Sequence, residues 1–208
     1  MQNFSTIAFT PAVKAAQQRM GSRGAYARFE QGPTTPDAIG DDEASFLAER
    51  DSFYMASTGE TGWPYIQHRG GPKGFVHVLD EHTIAFADQR GNRQYISVGN
   101  LAGDDRVALI FVDYPHRARL KVLARARTVA RDDDPALFAR VAGDTTAERI
   151  LVLHVEGLDW NCPKHITPRY TEDEVRALAR PLLDRVDALE RENAALRARL
   201  GLPEDTAS

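Results

Sequence analysis

The sequence predicts a mainly β (α+β) fold in which six or seven antiparallel strands form a barrel with peripheral helices. Short β-rich runs separated by turn residues follow one another between Ser52 and Glu156. The intervening helical stretches are too few for parallel βαβ winding. Closing an antiparallel sheet also removes exposed edges.

The predicted strands have hairpin-like spacing, and the helices lie at their margins. A helical stretch begins at Pro11, an acidic helix start lies at Asp41, and a further helix begins near Pro135. The strands are predicted at residues 52–58, 63–68, 75–79, 83–87, 107–113, 120–130 and 150–156.

These elements suggest three parts of the chain. Residues 1–45 form an N-terminal arm with helices that pack on the barrel, and residues 46–170 form the barrel. Residues 171–208 form a C-terminal helix with a frayed tail.

The C-terminal helix carries a heptad pattern. Position d is occupied by Val175, Leu182, Leu189 and Leu196, and position a by Ala179, Val186, Asn193 and Leu200. A polar residue at an a position fixes the register of a two-stranded coil, so we expect a homodimeric coiled coil. The alternative is an amphipathic helix that lies on its own barrel.

Composition restricts the partners and the compartment. The formal net charge of −4 disfavours general nucleic-acid binding, and no apolar run reaches the length of a membrane span. A single cysteine, Cys162, forms no internal disulfide, so we expect a soluble cytoplasmic protein. Residues 62–131 nevertheless hold eleven Lys or Arg against six Asp or Glu, which favours an anion site in the barrel.

The first candidate binding segment is the glycine-rich strand from Gly62 to Gly74. Strand alternation places Gln67 and Arg69 on one face, with Ile66 and His68 on the other. Gly70 and the glycine after it permit close backbone approach to a ligand.

The second segment is the turn that follows the strand ending near Asp88. Arg90, Asn92, Arg93 and Gln94 precede a short helix, and arginine side chains with helix-start N–H groups suit a phosphate. The alternative is an ordinary surface loop. A third segment, 159–169, is predicted to be an ordered loop that caps the ligand, because it is polar and aromatic and contains two prolines.

Residues 46–170 resemble the FMN-binding split barrels related to pyridoxamine 5'-phosphate oxidase. The resemblance lies in the Gly-x-Pro strand at Gly62, the strand-to-arginine turn of residues 86–94, and the run Asp105-Arg-Val-Ala-Leu-Ile-Phe. It implies a split barrel that binds FMN at the interface of a homodimer.

The resemblance also implies cofactor-binding residues. Gln67, His68, Arg69 and Gly70 fall beside the flavin or its ribityl chain, and the phosphate pair falls on Arg93 and Gln94, after Asp88. The family's flavin-contacting glutamine falls near Arg119. The remaining residues that it implies are Trp160, Asn161 and Arg169.

The function implied is an FMN-dependent oxidoreductase acting on an unidentified small molecule, with NAD(P)H as a candidate donor. Gln67 and Gln94 stand where the oxidase pattern has basic residues, and Pro72 stands near the position where that pattern has a substrate-holding lysine. The Arg-x-His motif of the oxidase pattern has no counterpart in this sequence. We therefore do not expect oxidation of pyridoxamine phosphate. No catalytic acid or base stands out, and no metal site is expected because Cys162 and His165 lack evident further ligands. The alternatives are a flavin-binding or sensing module without rapid turnover, and a split barrel that binds a deazaflavin or haem.

Overall fold

The structure, a computed structural model, describes residues 3–30, 34–143, 145–201 and 203. Seven strands form one antiparallel sheet in the order β2-β1-β5-β6-β7-β4-β3. Their bounds are β1 Ser52–Thr58, β2 Pro64–Gly70, β3 Val76–Asp80, β4 Thr83–Gln89, β5 Arg106–Asp113, β6 Ala118–Val129 and β7 Ala147–Trp160.

The helices surround this sheet or precede and follow it in the chain. They are α1 Phe4–Ala8, α2 Pro11–Arg19, α3 Arg23–Ala27 with a 3-10 turn Arg28–Glu30, α4 Asp41–Ala48, α5 Ile96–Gly103, α6 Pro135–Ala142 and α7 Glu172–Leu200. Within the described ranges, none of these helices is both long and apolar enough to cross a membrane.

The chain divides into two compact units, Met1–Ile166 and Thr167–Ser208. The first contains the arm and the barrel, and the second contains α7. The predicted frayed tail falls on residues 202 and 204–208, which lie outside the described residues.

The interior of the first unit has two apolar clusters. The larger one lies inside the curved sheet and includes Phe53, Phe86 and Phe111, each about 1% exposed or less. The smaller one lies under α6, where Phe138 packs with Ile150 and neighbouring residues. Alternation explains this arrangement, because every second residue of a strand points to the same face.

The predicted split barrel is confirmed. Within the described residues no ladder of backbone hydrogen bonds joins β2 to β3, so the sheet is curved but open along that line. Phe53 on β1 nevertheless stacks on Phe75, with ring centroids 5.7 Å apart, and meets the edge of Phe86 on β4 at 5.1 Å. Side chains therefore bring the two ends of the sheet together.

One predicted boundary is wrong. The last strand does not end at Glu156 but continues to Trp160, which pairs with Leu120 of β6, so the predicted loop 159–169 begins as strand. The final residues of β7 include Gly157 and Asp159, which lack β-branched or alternating apolar character. Pairing with the long strand β6 holds them in the sheet, and Lys121 Nζ lies 3.3 Å from Asp159 Oδ2.

The N-terminal arm packs on the same end of β7. Asp37 Oδ2 accepts a hydrogen bond from the backbone N–H of Phe4 at 2.7 Å and from that of Leu158 at 2.9 Å. One carboxylate thus joins α1 to the last strand.

Candidate functional site

A polar cleft lies between β2, the turn before α5 and the beginning of β7. Its volume is about 50 Å³, or about 420 Å³ when the open space at its mouth is included, so the cleft is open to solvent. Gln67, Arg69, Asp88, Arg93 and Gln94, all predicted from the sequence, line it.

Strand β2 supplies one wall of the cleft. Its burial alternates, so that Tyr65, Gln67 and Arg69 face inward while Ile66 and His68 are exposed. Ser97 Oγ donates to Gln67 Oε1 at 2.9 Å. Because this bond uses the amide oxygen, the amide nitrogen of Gln67 remains as a donor for a ligand.

The turn before α5 supplies the opposite wall. Arg93 and Tyr95 both have left-handed backbone, with φ of 60° and 54°, and Asn92 Oδ1 accepts from the Gln94 backbone N–H at 3.2 Å. Arg93 Nε donates to Tyr95 Oη at 3.1 Å. This hydrogen bond, with the nearby charge of Glu148, raises the pKa of Arg93 above its usual range, so the side chain stays cationic.

The beginning of α5 has no side-chain cap. The residue before the helix is Tyr95, and the first helical bond runs from Gly99 N–H to the Tyr95 carbonyl. Ile96, Ser97 and Val98 line the cleft, and the first N–H groups of a helix have no partner inside it. Uncapped N–H groups beside a cationic arginine are suited to an anion such as a phosphate.

A chain of ion pairs crosses the floor of the cleft. Arg69 Nη1 lies 2.5 Å from Asp88 Oδ1, and Arg149 Nη1 lies 3.4 Å from Asp88 Oδ2. Arg149 Nη2 lies 2.9 Å from Glu148 Oε2, and Tyr95 Oη donates to Glu148 Oε1 at 3.1 Å. The three arginines Arg69, Arg93 and Arg149 therefore outnumber the two carboxylates, which leaves a net positive charge.

Arg149 was not among the residues predicted from the sequence. It enters the site because β7 pairs with β4 in a register that places it opposite Asp88. The two residues are 61 positions apart, and no local motif marks Arg149. Only the pairing of two distant strands could have identified it.

A second depression shares Gln67 and Arg69 with the cleft and contains the other two predicted residues of β2. His68 and Gly70 line it together with Gln67, Arg69 and Phe86. The His68 ring meets the ring of Tyr54 edge-on, with centroids 5.4 Å apart. Arg69 Nε is buried and, within the described residues, has no hydrogen-bond partner.

Three other predicted residues lie at the opposite end of the sheet. Arg119 Nη2 donates to the Cys162 carbonyl at 3.2 Å, and Asn161 N–H donates to the Arg119 carbonyl at 3.1 Å. Trp160 Nε1 donates to Glu43 Oε1 at 2.7 Å and packs edge-on against Phe46. None of the three lines the cleft.

Two other residues predicted for the site, Arg90 and Arg169, are not among those that line the cleft. Arg90 follows β4 but does not line the cleft, and Arg169 belongs to the second compact unit. Among the residues that the structure describes, no group of three or more His, Cys, Asp or Glu side chains is arranged to hold a metal ion.

Comparison with known proteins gives one family match. The family model described as pyridoxamine 5'-phosphate oxidase matches residues 39–159, more than half of the chain. No curated protein matches the sequence.

Several solved structures are partly similar. HupZ of Group A Streptococcus is 14% identical, with a TM-score of 0.47, over 63% of this chain and 99% of that one. A candidate pyridoxamine 5'-phosphate oxidase of Lactobacillus delbrueckii is 21% identical, with a TM-score of 0.47, over 59% and 94%. An FMN-binding protein of Syntrophomonas wolfei is 12% identical, with a TM-score of 0.44, over 70% and 97%.

Proposed function

The chain belongs to the pyridoxamine 5'-phosphate oxidase family, and from this premise we propose that it is an FMN-dependent oxidoreductase. The observation that carries the proposal is the cleft in which Arg93 and the uncapped start of α5 face the same space. An anionic group such as a cofactor phosphate suits that combination of charge and N–H groups.

The cofactor phosphate would bind at Arg93 and the N–H groups of Ile96 to Val98. Arg93 uses only its Nε in a hydrogen bond within the described residues, so its two terminal nitrogens can form a paired contact with phosphate oxygens. Gln94 offers an amide at the position where the oxidase pattern has a lysine. The proposed phosphate site therefore holds one cationic side chain, Arg93, where the oxidase pattern has two.

The flavin end of the cofactor would lie along β2. Gln67 presents its amide nitrogen, and Arg69 has a buried, unpartnered Nε. His68 and Gly70 line the adjoining depression. When bound, FMN supplies the transfer of a hydride or of electrons, and these side chains would orient it and set the polarity around it.

We propose that the functional unit is a homodimer with FMN at its interface. Glu148 at the beginning of β7 lines the cleft and pairs with Arg149, whereas Trp160 lies eleven residues after Arg149 in the same strand. At about 3.3 Å per residue, a straight strand would separate Arg149 from Trp160 by roughly 35 Å. The cleft and Trp160 thus lie toward opposite ends of β7, and in the proposed dimer a second copy would supply Arg119, Trp160 and Asn161 to the cofactor.

The substrate is proposed to be a small molecule other than pyridoxamine phosphate, with NAD(P)H as a candidate donor. Pro72 follows β2 near the position where the oxidase pattern has a lysine that holds the substrate. Proline has no charge and no N–H donor, so it cannot replace that contact.

We also propose a cytoplasmic location. Cys162 is the single cysteine and is exposed. An exposed free thiol suits a reducing compartment.

A visible spectrum of the purified chain, followed by titration with FMN, tests cofactor binding. We expect flavin absorption bands and saturable binding of about one FMN per chain. Anaerobic mixing with NADH or NADPH then tests turnover, and bleaching of the flavin bands supports a reductase. Flavin that binds but is reduced by neither donor would favour a binding or sensing module. A colourless protein that ignores FMN would contradict both, and titration with a deazaflavin or haem would follow.

A further inference from the structure

Helix α7 carries an apolar row that nothing in its own unit covers. The helix has 29 residues, none of them buried, and Leu182 is 70% exposed while Leu189 is 45% exposed. We propose that this row pairs with α7 of a second copy as a parallel, in-register, two-stranded coiled coil.

Helix α7 is continuous from Glu172 to Leu200. Thr171 and Glu174 form a capping box at its start, and Gly201 closes its end in a left-handed conformation. Pro181 lies inside the helix, but it occupies heptad position c, on the side away from the a and d row. The a and d row therefore runs along one side of the helix from Leu182 to Leu200 and is apolar except at Asn193.

Exposure of such an apolar row to water is energetically unfavourable. The row contains four large apolar residues that are spaced by four, three and seven positions, namely Leu182, Val186, Leu189 and Leu196. All four are exposed to solvent. Helices of this kind gain most of their stability by packing an apolar face, and a contiguous exposed apolar patch marks an interaction surface.

The charges beside the row select a parallel partner. In a parallel in-register pair, position g of one helix faces position e of the next heptad in the other. Arg185 then faces the partner's Glu190, and Glu192 faces the partner's Arg197. The remaining pair joins Leu178 to the partner's Leu183, so all three flanking pairs are favourable.

The antiparallel arrangement is disfavoured by the same residues. When every a position meets a d position in antiparallel order, Arg185 and the partner's Glu192 form the one favourable flanking pair. Arg176 then faces the partner's Arg197, Leu178 faces the partner's Arg199, and Leu183 faces the partner's Glu190. These contacts set like charges together or place charge against an apolar side chain.

Asn193 gives an independent reason for the parallel order. It occupies an a position, where a parallel in-register pair brings it opposite the partner's Asn193 so that the two amides can hydrogen-bond. In the antiparallel arrangement it faces the partner's Leu182, which offers no partner to the amide. Arg197 Nε already donates to Asn193 Oδ1 at 3.0 Å, so its guanidinium lies beside the seam.

Cysteine cross-linking of the full-length chain tests orientation and register. In a Cys162→Ser background, Leu196→Cys places one thiol at a d position, and Ala195→Cys places one at c as the matched control. In the antiparallel arrangement the two position-196 thiols would lie about 25 Å apart along the axis, so their disulfide reports the parallel order. A thiol held in the seam has an effective concentration on the order of millimolar, so at ~10 µM protein we expect its disulfide to form about 100-fold faster than the control. Equal rates in the two variants, or no covalent dimer in either, would overturn the proposal.

Charge reversal supplies a second test that does not depend on disulfide geometry. Glu190→Arg with Glu192→Arg makes all four flanking charges positive, and Arg185→Glu with Arg197→Glu makes them negative. In the Leu196→Cys background, each charge variant alone should cross-link more slowly than the parent, and a mixture of the two variants should form mainly the mixed dimer. Unchanged self-linking in both variants would contradict the proposed pairing. Neither readout uses FMN, so the outcome is independent of the proposed function.

Discussion

Arg69 Nη1 lies 2.5 Å from Asp88 Oδ1, and this ion pair joins two strands that share no backbone hydrogen bonds. Arg69 belongs to β2 at one edge of the sheet, and Asp88 belongs to β4, next to the opposite edge. Both side chains are nearly buried, at 12% and 10% exposure. The pair therefore closes the split of the barrel and forms the floor of the cleft.

Replacing Asp88 by alanine should strongly destabilise the fold. Asp88 accepts from Arg69 and lies within 3.4 Å of Arg149, so its removal leaves nearly buried guanidinium groups without their carboxylate. Breaking a buried pair costs roughly 3–5 kcal/mol. Urea unfolding of the FMN-free protein measures the loss.

Asp105→Ala is the matched control for that measurement. Asp105 Oδ1 lies 2.7 Å from Arg125 Nη1, but both side chains are about half exposed. Such pairs contribute about 0–1 kcal/mol. An Asp88→Ala loss no greater than that of Asp105→Ala would contradict the closing role of the ion pair.

The positions of the strands along the chain were predictable because each strand carries its own signal. Alternation of apolar residues along β6 marks the face on which Leu120, Val122 and Ala124 are buried, and the turn residues between runs mark the hairpins. The side chains of β2 alternate as predicted, with Gln67 and Arg69 facing inward. The end of β7 was missed because its last residues owe their strand conformation to pairing with β6.

The site was predictable only where one segment carries several of its residues. The strand at Gly62 and the turn at Arg93 are such segments, and the structure brings them into one cleft. Arg149 depends on the register between β4 and β7, which local sequence does not encode. The assignment of Arg119, Trp160, Asn161 and Arg169 to the cofactor stays a prediction.

Arg93→Ala should weaken FMN binding. A hydrogen bond between charged groups contributes about 1.5–3 kcal/mol, which corresponds to a roughly 10- to 150-fold higher Kd. Arg90→Ala is the control, because Arg90 lies three residues away and does not line the cleft. Fluorescence titration measures both, and equal effects of the two substitutions would remove Arg93 from the phosphate site.

Gln94→Lys should strengthen FMN binding. The substitution restores the second cation of the oxidase pattern at an exposed position of the same turn, and we expect an affinity gain of up to ~10-fold. Gln94→Glu should weaken binding, because it places a like charge beside the phosphate. The difference between the variants should shrink as salt screens the charges. Equal affinities at low salt would show that this side chain does not face the phosphate.

Gly157→Ala should loosen the N-terminal arm. A Cβ at Gly157 would lie 2.8 Å from Phe4 Cα, a backbone atom that can move only if α1 moves with it. Overpacking of this kind costs typically about 1–3 kcal/mol. Limited proteolysis should cut the arm faster in this variant, whereas Gly99→Ala, whose Cβ enters open space, should leave the arm protected. Equal cutting in the two variants would contradict the packing of α1 on β7.

Asp113→Asn should remove a pH-dependent part of the stability. Arg50 Nη2 lies 2.8 Å from Asp113 Oδ2, and the His116 backbone N–H donates to Asp113 Oδ1 at 3.0 Å. Burial alone would raise the pKa of Asp113, but the hydrogen bonds from His116 and the charge of Arg50 together lower it below its usual 3.8. A carboxyl whose pKa is lower in the folded state stabilises the fold above its ordinary pKa, and this contribution is lost as the pH falls through the folded value.

The variant should therefore be less stable than the parent by roughly 3 kcal/mol at pH 7, because it removes the charged partner of a nearly buried arginine. The difference should persist down to about pH 4 and shrink below it, because the carboxyl is protonated first in the unfolded parent and, at lower pH, in the folded parent. Urea unfolding of both proteins at a series of pH values from 7 to 3 gives the comparison, with Asp105→Asn as the exposed control. A difference that stays constant down to pH 3 would show that the Asp113 charge does not stabilise the link between Arg50 and the end of β5.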